Sequence, residues 1–542
     1  MNATARLAAA ALALLVALGG CARSKTSAAA GERNAWTVPG VLRLGEDEEP
    51  DSLNLMYAHT WAADNVAGLL FSFLLRYDAS GNLIPDLAVA VPSIANGGIS
   101  RDGKRIVVHL RKGARWADGA PLTAADWLFT YRAVMNSANA VKTRYGWDGI
   151  ALASAPDPFT IDIRLKKANV AVLGILAIGG AAYPPLPAHL LAKLPDLNRA
   201  SFNQSPLSSG PYILKAWNHG TSLTFVPNPR YFRGAPKIKE VVWKVIPDVN
   251  TLLNELATHE IDVYPNVSAN AIARLSSIEG VTVAHGLIAN WRHLGINTSR
   301  PQLGDVRVRR AIAEAVDWAR IERTVFHSLD SLAVSDIFPQ SWAAPALAPY
   351  RYDPADARRL LAAAGWRLGR DGVLHKGALG MHLTIYATTG HQENTESQVL
   401  IQSMLRDVGV DVAVRNYPGS YLFAMDGPLY TGKYDLEWSI ETNGPDPDNS
   451  GDWNGAFIPP HGANTSWLND PVVNATSAAA ASTFDQAKRK ALYQREEERI
   501  RKVVPAVFFS WQTNYTAIND DVKHYVPAAF IGDSWNAWEW NV

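Results

Sequence analysis

The stretch Leu110-Arg-Lys-Gly-Ala-Arg-Trp-Ala-Asp-Gly-Ala-Pro-Leu-Thr-Ala-Ala-Asp126 links a predicted strand to a predicted helix. Residues 106–110 alternate in the manner of a strand, and Gly113 permits the left-handed backbone that a tight strand exit requires. Asp118-Gly119, followed two residues later by Pro121, is typical of a turn. Thr123 is a suitable N-cap for a helix that starts just after it. We expect these residues to position domains without contacting a ligand.

The same alternation of strands and helices extends over the rest of the chain. Strand-like segments lie at residues 41–44, 223–226, 241–245, 261–264, 294–297, 381–387 and 411–416. Segments with helical apolar spacing lie at residues 60–75, 250–258, 305–321, 353–364 and 393–408. The pattern predicts an α/β protein with parallel or mixed sheets. The longest apolar run beyond residue 20, residues 170–182, is too short to span a membrane and predicts a buried helix or a pair of strands.

The first 20 residues have the pattern of a secretory signal peptide. Arg6 precedes an apolar stretch from Leu7 to Leu18, and Gly19-Gly20 leads to Cys21, the single cysteine of the chain. This arrangement resembles the lipobox of bacterial lipoproteins, in which the cysteine is acylated; an ordinary signal peptide with a cysteine near its cleavage site is the alternative. Residues 21–36 are small and polar, which is typical of a flexible tether.

Composition and motifs argue against several classes of function. The 51 basic and 51 acidic residues balance, so bulk charge gives no attraction for nucleic acid. The chain contains no HExxH, GxSxG or GxGxxG motif, and its 13 histidines show no metal-ligand spacing. We therefore expect no catalytic residues, no metal site and no cofactor.

Further short motifs occur in a fixed order along the chain. They are Pro50-Asp-Ser-Leu-Asn54, Ser209-Gly-Pro-Tyr212, Asn228-Pro-Arg-Tyr231, His259-Glu-Ile-Asp262, Asp305-Val-Arg-Val-Arg309, Tyr352-Asp-Pro354, Ala364-Gly-Trp366, Lys433-Tyr-Asp-Leu436 and Pro445-Asp-Pro447. Together with residues 110–126, they resemble bacterial extracellular solute-binding protein family 5, the peptide- and nickel-binding components of ABC importers. The resemblance covers residues 41–542. His259 departs from it, because the family usually has glycine there.

The resemblance implies a periplasmic binding protein-like fold of two lobes (type II, large cluster C) with mixed sheets and an extra subdomain. Lobe I would comprise residues 37–75, 208–285 and 505–542, the extra subdomain residues 76–207, and lobe II residues 286–504. The implied function is to capture a di- or oligopeptide between hinge-closing lobes and deliver it to a membrane permease. The protein would be an exported, lipid-anchored monomer facing the periplasm or the cell exterior. An oligosaccharide, or a chelated nickel or haem ligand, is the alternative.

The resemblance also indicates ligand-binding residues. In dipeptide-binding members, an acidic residue three positions after a tryptophan holds the peptide α-ammonium group, and here Glu441 follows Trp438 at that spacing. Asn443 lies in the Gly/Pro-rich loop that follows. The alternative for Glu441 is a bracing role through backbone amides. Further candidates for the ligand site are Tyr57, Trp61 and Trp291. His391 is a further candidate, with an exposed position in a surface loop as the alternative.

Overall fold

A mixed sheet of eleven strands organises the computed structural model, which describes residues 33–178, 182–267, 271–530 and 532–542. Three smaller sheets accompany it among these residues. The strands in chain order are β1 Val41–Glu46, β2 Leu75–Tyr77, β3 Leu83–Pro85, β4 Arg105–His109, β5 Ile150–Asp157, β6 Thr160–Leu165, β7 Tyr212–Asn218, β8 Ser222–Pro227, β9 Glu240–Val245, β10 Val263–Tyr264, β11 Val281–Ile296, β12 Ser331–Leu332, β13 Arg367–Leu368, β14 Leu374–Lys376, β15 Leu379–Gly380, β16 His382–Thr388, β17 Asp411–Tyr417, β18 Leu436–Thr442 and β19 Ala506–Asn519.

Most of the longer helices begin at a polar residue that caps free backbone amides. Asp470, for example, accepts hydrogen bonds from the amides of Val472 and Val473, and Pro471 occupies the first helical turn. The α-helices are α1 Trp61–Leu70, α2 Ala124–Met135, α3 Ala188–Leu191, α4 Val249–Ala257, α5 Ile272–Leu275, α6 Val306–Ala315, α7 Trp318–Val325, α8 Pro354–Ala363, α9 Gln392–Arg406, α10 Gly419–Leu422, α11 Ser450–Trp453, α12 Pro471–Ser482 and α13 Gln486–Val503.

Two long strands join the two ends of the large sheet. Its order is β17-β16-β18-β11-β19-β10-β1-β9-β8-β7, with β12 paired to β19. The β16–β17, β16–β18, β1–β9 and β1–β10 pairs are parallel, whereas β11 pairs antiparallel with both β18 and β19. The β11–β19 register shifts between Leu287 and Trp291, and such an irregularity bends the strand and redirects its side chains.

Buried apolar side chains form separate clusters at the two ends of this sheet. One cluster collects residues between Leu42 and Val263 together with residues from Ile518 to the end of the chain. A second collects residues between Leu294 and Phe509, including Trp318 and Trp438. Each end of the sheet is therefore stabilised by burial of its own apolar surface. Contacts group residues 38–542 into one compact unit.

The predicted strand–turn–helix at residues 105–135 is confirmed. Gly113 and Gly119 both adopt positive φ, and Thr123 and Asp126 form a reciprocal capping box at the start of α2. The single helix predicted at residues 305–321 was wrong, since the first helix ends at Ala315 and Asp317 caps a second helix by accepting from the amide of Arg320. Within residues 170–182, Val170–Leu176 forms a 3₁₀ helix with four buried residues, which agrees with the expected buried helix and not with a pair of strands.

The signal peptide and Cys21 lie outside the described residues, as does most of the tether. Among the helices that the structure describes, none combines the length and the apolar character that crossing a membrane requires.

Candidate ligand-binding site

The pairing of β11 with β18 brings two short rows of side chains together. In this antiparallel register, Trp291 lies opposite Glu441, His293 opposite Ser439, and Gly295 opposite Glu437. Directly opposed residues project to the same face of a sheet, so an indole, an imidazole and two carboxylates share one face. Gly295 is required here, because a Cβ atom at this position would come within 2.6 Å of the Glu437 side chain.

Two adjoining cavities open over this face. The smaller, of about 20 Å³, is lined by Trp291, His293, Gly295, Glu437, Glu441, Asp452, Trp453, Ala463, Thr465, Ser466, Pro505 and Ala506. The larger, of about 290 Å³, is lined by Phe423, Leu429, Tyr430, Ile440, Glu441, Asp452, Ala463 and Thr465. Four residues are common to both linings, and two of these are the carboxylates Glu441 and Asp452. Neither lining includes a lysine or arginine among the residues the structure describes.

Asp452 and Trp453 reach the cavities from the short helix α11, which buried polar groups hold in place. The Trp453 indole donates to the Asp336 carboxylate at 2.8 Å. Asn449, at the start of the helix, donates to Asp336 at 3.1 Å and to Glu497 at 3.0 Å. Because Asp336 and Glu497 are buried, where hydrogen bonds are electrostatically stronger than in water, these bonds fix the position of the helix.

Asn443 acts on the site through Trp291. Its side-chain oxygen accepts from the Trp291 indole at 2.9 Å, and its amide nitrogen donates to the carbonyl of Asp336. The buried Trp291 ring also packs against His293 at 4.5 Å and Trp453 at 6.3 Å between centroids. Asn443 therefore orients the aromatic wall of the small cavity and ties it to the α11 anchor.

In this partly buried site, each carboxylate disfavours ionisation of its neighbours. Desolvation raises the pKa of Glu441; the charge of His293 opposes the increase and that of Glu437 adds to it. Desolvation, followed by the charges of Glu441 and Asp336, raises the pKa of Asp452 well above its usual range. A cation in the cavities would stabilise the ionised form of both groups. The site is thus chemically suited to a positively charged group.

The other residues predicted for the site lie elsewhere. Trp438 projects to the opposite face of β18 and packs in the core beside Trp318 and Phe509, with ring centroids 6.3 and 5.1 Å away. It therefore has a packing role instead of the expected ligand contact. Tyr57 packs against the first core cluster, where burial raises the pKa of its phenol to about 12.

Trp61 and His391 are likewise separate from the cavities. Trp61 is 49 % exposed at the start of α1. His391 is exposed just before α9, where its ring nitrogen lies 3.5 Å from Glu393. Glu441 and Trp291 are thus the predicted residues that line a cavity, and Asn443 supports one of them.

Most of the lining residues were not predicted, and the charged and aromatic ones among them that matter most for the small cavity are His293, Glu437, Asp452 and Trp453. His293 lies two positions after Trp291 and Glu437 four positions before Glu441, so strand alternation from these two predicted residues would have indicated that they share a face. Asp452 and Trp453 follow the loop after β18, and nothing in their local sequence indicates that this loop turns back over the sheet. No cluster of three or more potential metal ligands with suitable geometry occurs among the described residues.

An α/β chain with two apolar cores and cavities of this chemistry belongs to the class of proteins that bind small solutes. The family model for bacterial extracellular solute-binding proteins, family 5 (middle region), matches residues 82–462, and the chain belongs to this family. The predicted fold class, a two-lobed periplasmic binding protein fold with mixed sheets, is confirmed.

Individual relatives extend the match to nearly the whole chain. The oligopeptide-binding protein AppA of Bacillus subtilis is 25 % identical over 526 residues, 94 % of each chain. Its structure with a nonapeptide has a TM-score of 0.71 at 24 % identity and covers 93 % of this chain and 100 % of AppA. A putative ABC transporter peptide-binding protein of Brucella ovis is 26 % identical and covers 86 % of each chain. NikZ of Campylobacter jejuni, solved with Ni(L-His), is 26 % identical with a TM-score of 0.72 and covers 93 % of this chain and 100 % of NikZ.

Proposed function

We propose that the chain is the substrate-binding component of an ABC importer and that it captures peptides by their amino terminus. The observation that carries the proposal is the position of Glu441, a carboxylate at the wall of both cavities, with no lysine or arginine in either described lining. The small cavity, at about 20 Å³, accommodates one water-sized group such as an ammonium. The names of the Bacillus subtilis and Brucella ovis relatives support peptide as the ligand class.

The peptide would bind between lobes that close by a hinge. We propose the lobe boundaries expected from the sequence, with β11 and β19 as the connection between lobes and the irregular register near Leu287 as the flexible point.

We also propose that the protein is attached to the cell membrane close to its permease. Acylation at Cys21 would anchor a monomer to the cell membrane, and residues 21–36 would tether it near the permease, where anchoring raises the effective concentration. The protein would bind its solute without chemical conversion.

A chelated nickel ion is the second candidate ligand. The Campylobacter jejuni relative bound to Ni(L-His) favours it, and the imidazole of His293 next to carboxylates would suit such a complex. Peptide remains first because the shared lining includes two carboxylates, Glu441 and Asp452, that attract an ammonium group directly.

The test is calorimetric titration of the mature protein with alanine-rich tri- to pentapeptides and, separately, with nickel plus L-histidine. Glu441→Gln removes the charge with little change in shape and should weaken peptide binding about 10- to 100-fold, as expected for loss of a charge-assisted hydrogen bond. Glu498→Gln makes the same change at an exposed position of α13 and serves as the matched control. Unchanged peptide affinity in Glu441→Gln would rule out the amine-site assignment.

A further inference from the structure

The acidic groups at the cavities exceed what one peptide amino terminus requires. Three carboxylates, Glu437, Glu441 and Asp452, line the small cavity, and His293 is the basic side chain among them. His293 lies 3.6 Å from one oxygen of Glu437 and can neutralise one charge at most. Two carboxylates, Glu441 and Asp452, then remain, and both also line the larger cavity.

Glu437 provides an independent sign that the small cavity is built for a polar ligand. Its side chain is 3 % exposed, yet its second carboxylate oxygen has no hydrogen-bond partner among the described residues. A buried carboxylate oxygen without a donor costs free energy, and such groups are usually satisfied by a ligand or water. Gly295 leaves the space that this side chain needs, as described above. An ammonium group in the small cavity would supply the missing donor.

The larger cavity combines apolar walls with a charged end. Phe423, Leu429 and Ile440 supply aliphatic and aromatic surface, while Tyr430 adds a phenol ring. Tyr430 lies close enough to the acidic cluster that, after burial, the charges of Glu441, Glu437 and Asp452 raise its pKa. An apolar channel that ends at carboxylates fits a side chain with a methylene stem and a cationic head, and an aromatic ring can face that cation.

We propose that the two cavities together receive the first residue of the peptide and select lysine or arginine at that position. The α-ammonium group would occupy the small cavity between Glu437 and Glu441. The side chain would lie along the apolar wall of the larger cavity, with its cationic head turned toward Asp452, which lines both cavities. This inference rests on the proposed function, because it assigns a side-chain preference to the same peptide site.

The test compares peptides that differ only in their first side chain. Calorimetry would measure Lys-Ala-Ala-Ala, Arg-Ala-Ala-Ala and norleucine-Ala-Ala-Ala, the last of which keeps the stem of lysine without its charge. We expect the lysine and arginine peptides to bind about 10- to 100-fold more tightly than the norleucine peptide. In Asp452→Asn, this ratio should fall to about threefold or less. Thermal unfolding of each variant checks that it is folded.

Asp426→Asn is the matched control, because Asp426 is exposed in the segment that follows Phe423 and lies outside both described linings. It should retain the full preference for a basic first residue. Equal binding of the lysine and norleucine peptides to the wild-type protein would overturn this inference and leave the proposed function intact. An unchanged ratio in Asp452→Asn would also overturn it. Failure of every peptide to bind would contradict the proposed function itself.

Discussion

The ion pair between Arg489 and Asp446 should be the strongest polar support of the loop that carries the site. Two guanidinium nitrogens of Arg489 donate to the two Asp446 oxygens at 2.6 and 2.5 Å. The arginine also donates to the Ala480 carbonyl at 3.1 Å and to the Tyr493 hydroxyl at 2.8 Å. Its side chain is 4 % exposed, whereas that of Asp446 is 28 % exposed. The pair thus fixes the loop between β18 and α11 to helix α13.

Replacing this arginine leaves a partly buried carboxylate without its partner. Breaking a fully buried pair costs about 3–5 kcal/mol, and the partial exposure of Asp446 lowers the expected value to about 2–3 kcal/mol for Arg489→Met. Methionine retains much of the apolar stem, so the loss reports mainly on the polar contacts. Since the loop leads directly into α11, the variant should also weaken peptide binding through the position of Asp452.

Urea unfolding followed by tryptophan fluorescence measures the change, with Arg495→Met as the control because Arg495 is exposed on the same helix. A double-mutant cycle with Asp446→Asn isolates the pair and should give a coupling free energy of about 1.5 kcal/mol or more. A loss below about 1 kcal/mol in Arg489→Met, or a coupling near zero, would refute the argument that this pair fixes the loop.

Three further changes test other parts of the structure. Peptide affinity should fall as the pH is lowered from 7 to 5, because the pKa values of Glu441 and Asp452 are raised and protons then compete with the cationic ligand for these carboxylates. The other titratable groups that line the cavities are Glu437, His293 and Tyr430. Calorimetry over this range checks it, and a constant Kd would contradict it. Glu496→Gln should raise the Tm more at pH 8 than at pH 5. Burial, with the charges of Asp336 and Asp448, raises the pKa of Glu496 to about 9. The stability that the protonated group contributes is therefore complete below the pKa of the unfolded chain, 4.5, declines as the pH rises and is lost above the pKa of the folded protein. An equal Tm change at both pH values would argue against a buried, mostly protonated Glu496. Cys21→Ser should release the protein from membranes with unchanged peptide affinity, measured by fractionation and calorimetry, and loss of peptide binding would show a second role for the cysteine.

The local fold could be predicted where short-range chemistry decides it. Residues 110–126 contain glycines at positions of positive φ and a threonine cap, and the structure has the turns and the helix start at those residues. The break at Asp317 was missed because the apolar helical period continues across it, although aspartate is a good N-cap. Arg309 ends the motif at residues 305–309, and its guanidinium is buried against the carbonyls of Val503, Val504 and Leu303, of which the first two are distant in sequence.

The candidate site was predictable only in part, because strand alternation does not reveal which face is covered. Trp291 and Trp438 were both expected to contact a ligand, and only the tertiary structure places the first at a cavity and the second in the core. The opposition of Trp291 to Glu441 depends on a register between segments about 150 residues apart in sequence. Asp452 reaches the site through contacts of Asp336 and Asn449, which no local pattern encodes.

The proposed function requires the Glu441 carboxylate to bind the free amino terminus of a peptide. Calorimetric titration of one protein preparation with an alanine pentapeptide and with its N-acetylated form tests it most directly, because acetylation removes the positive charge and leaves the rest of the ligand intact. We predict that acetylation weakens binding at least tenfold, and that Glu441→Gln reduces the ratio of the two Kd values. Equal affinity for the two peptides would contradict it.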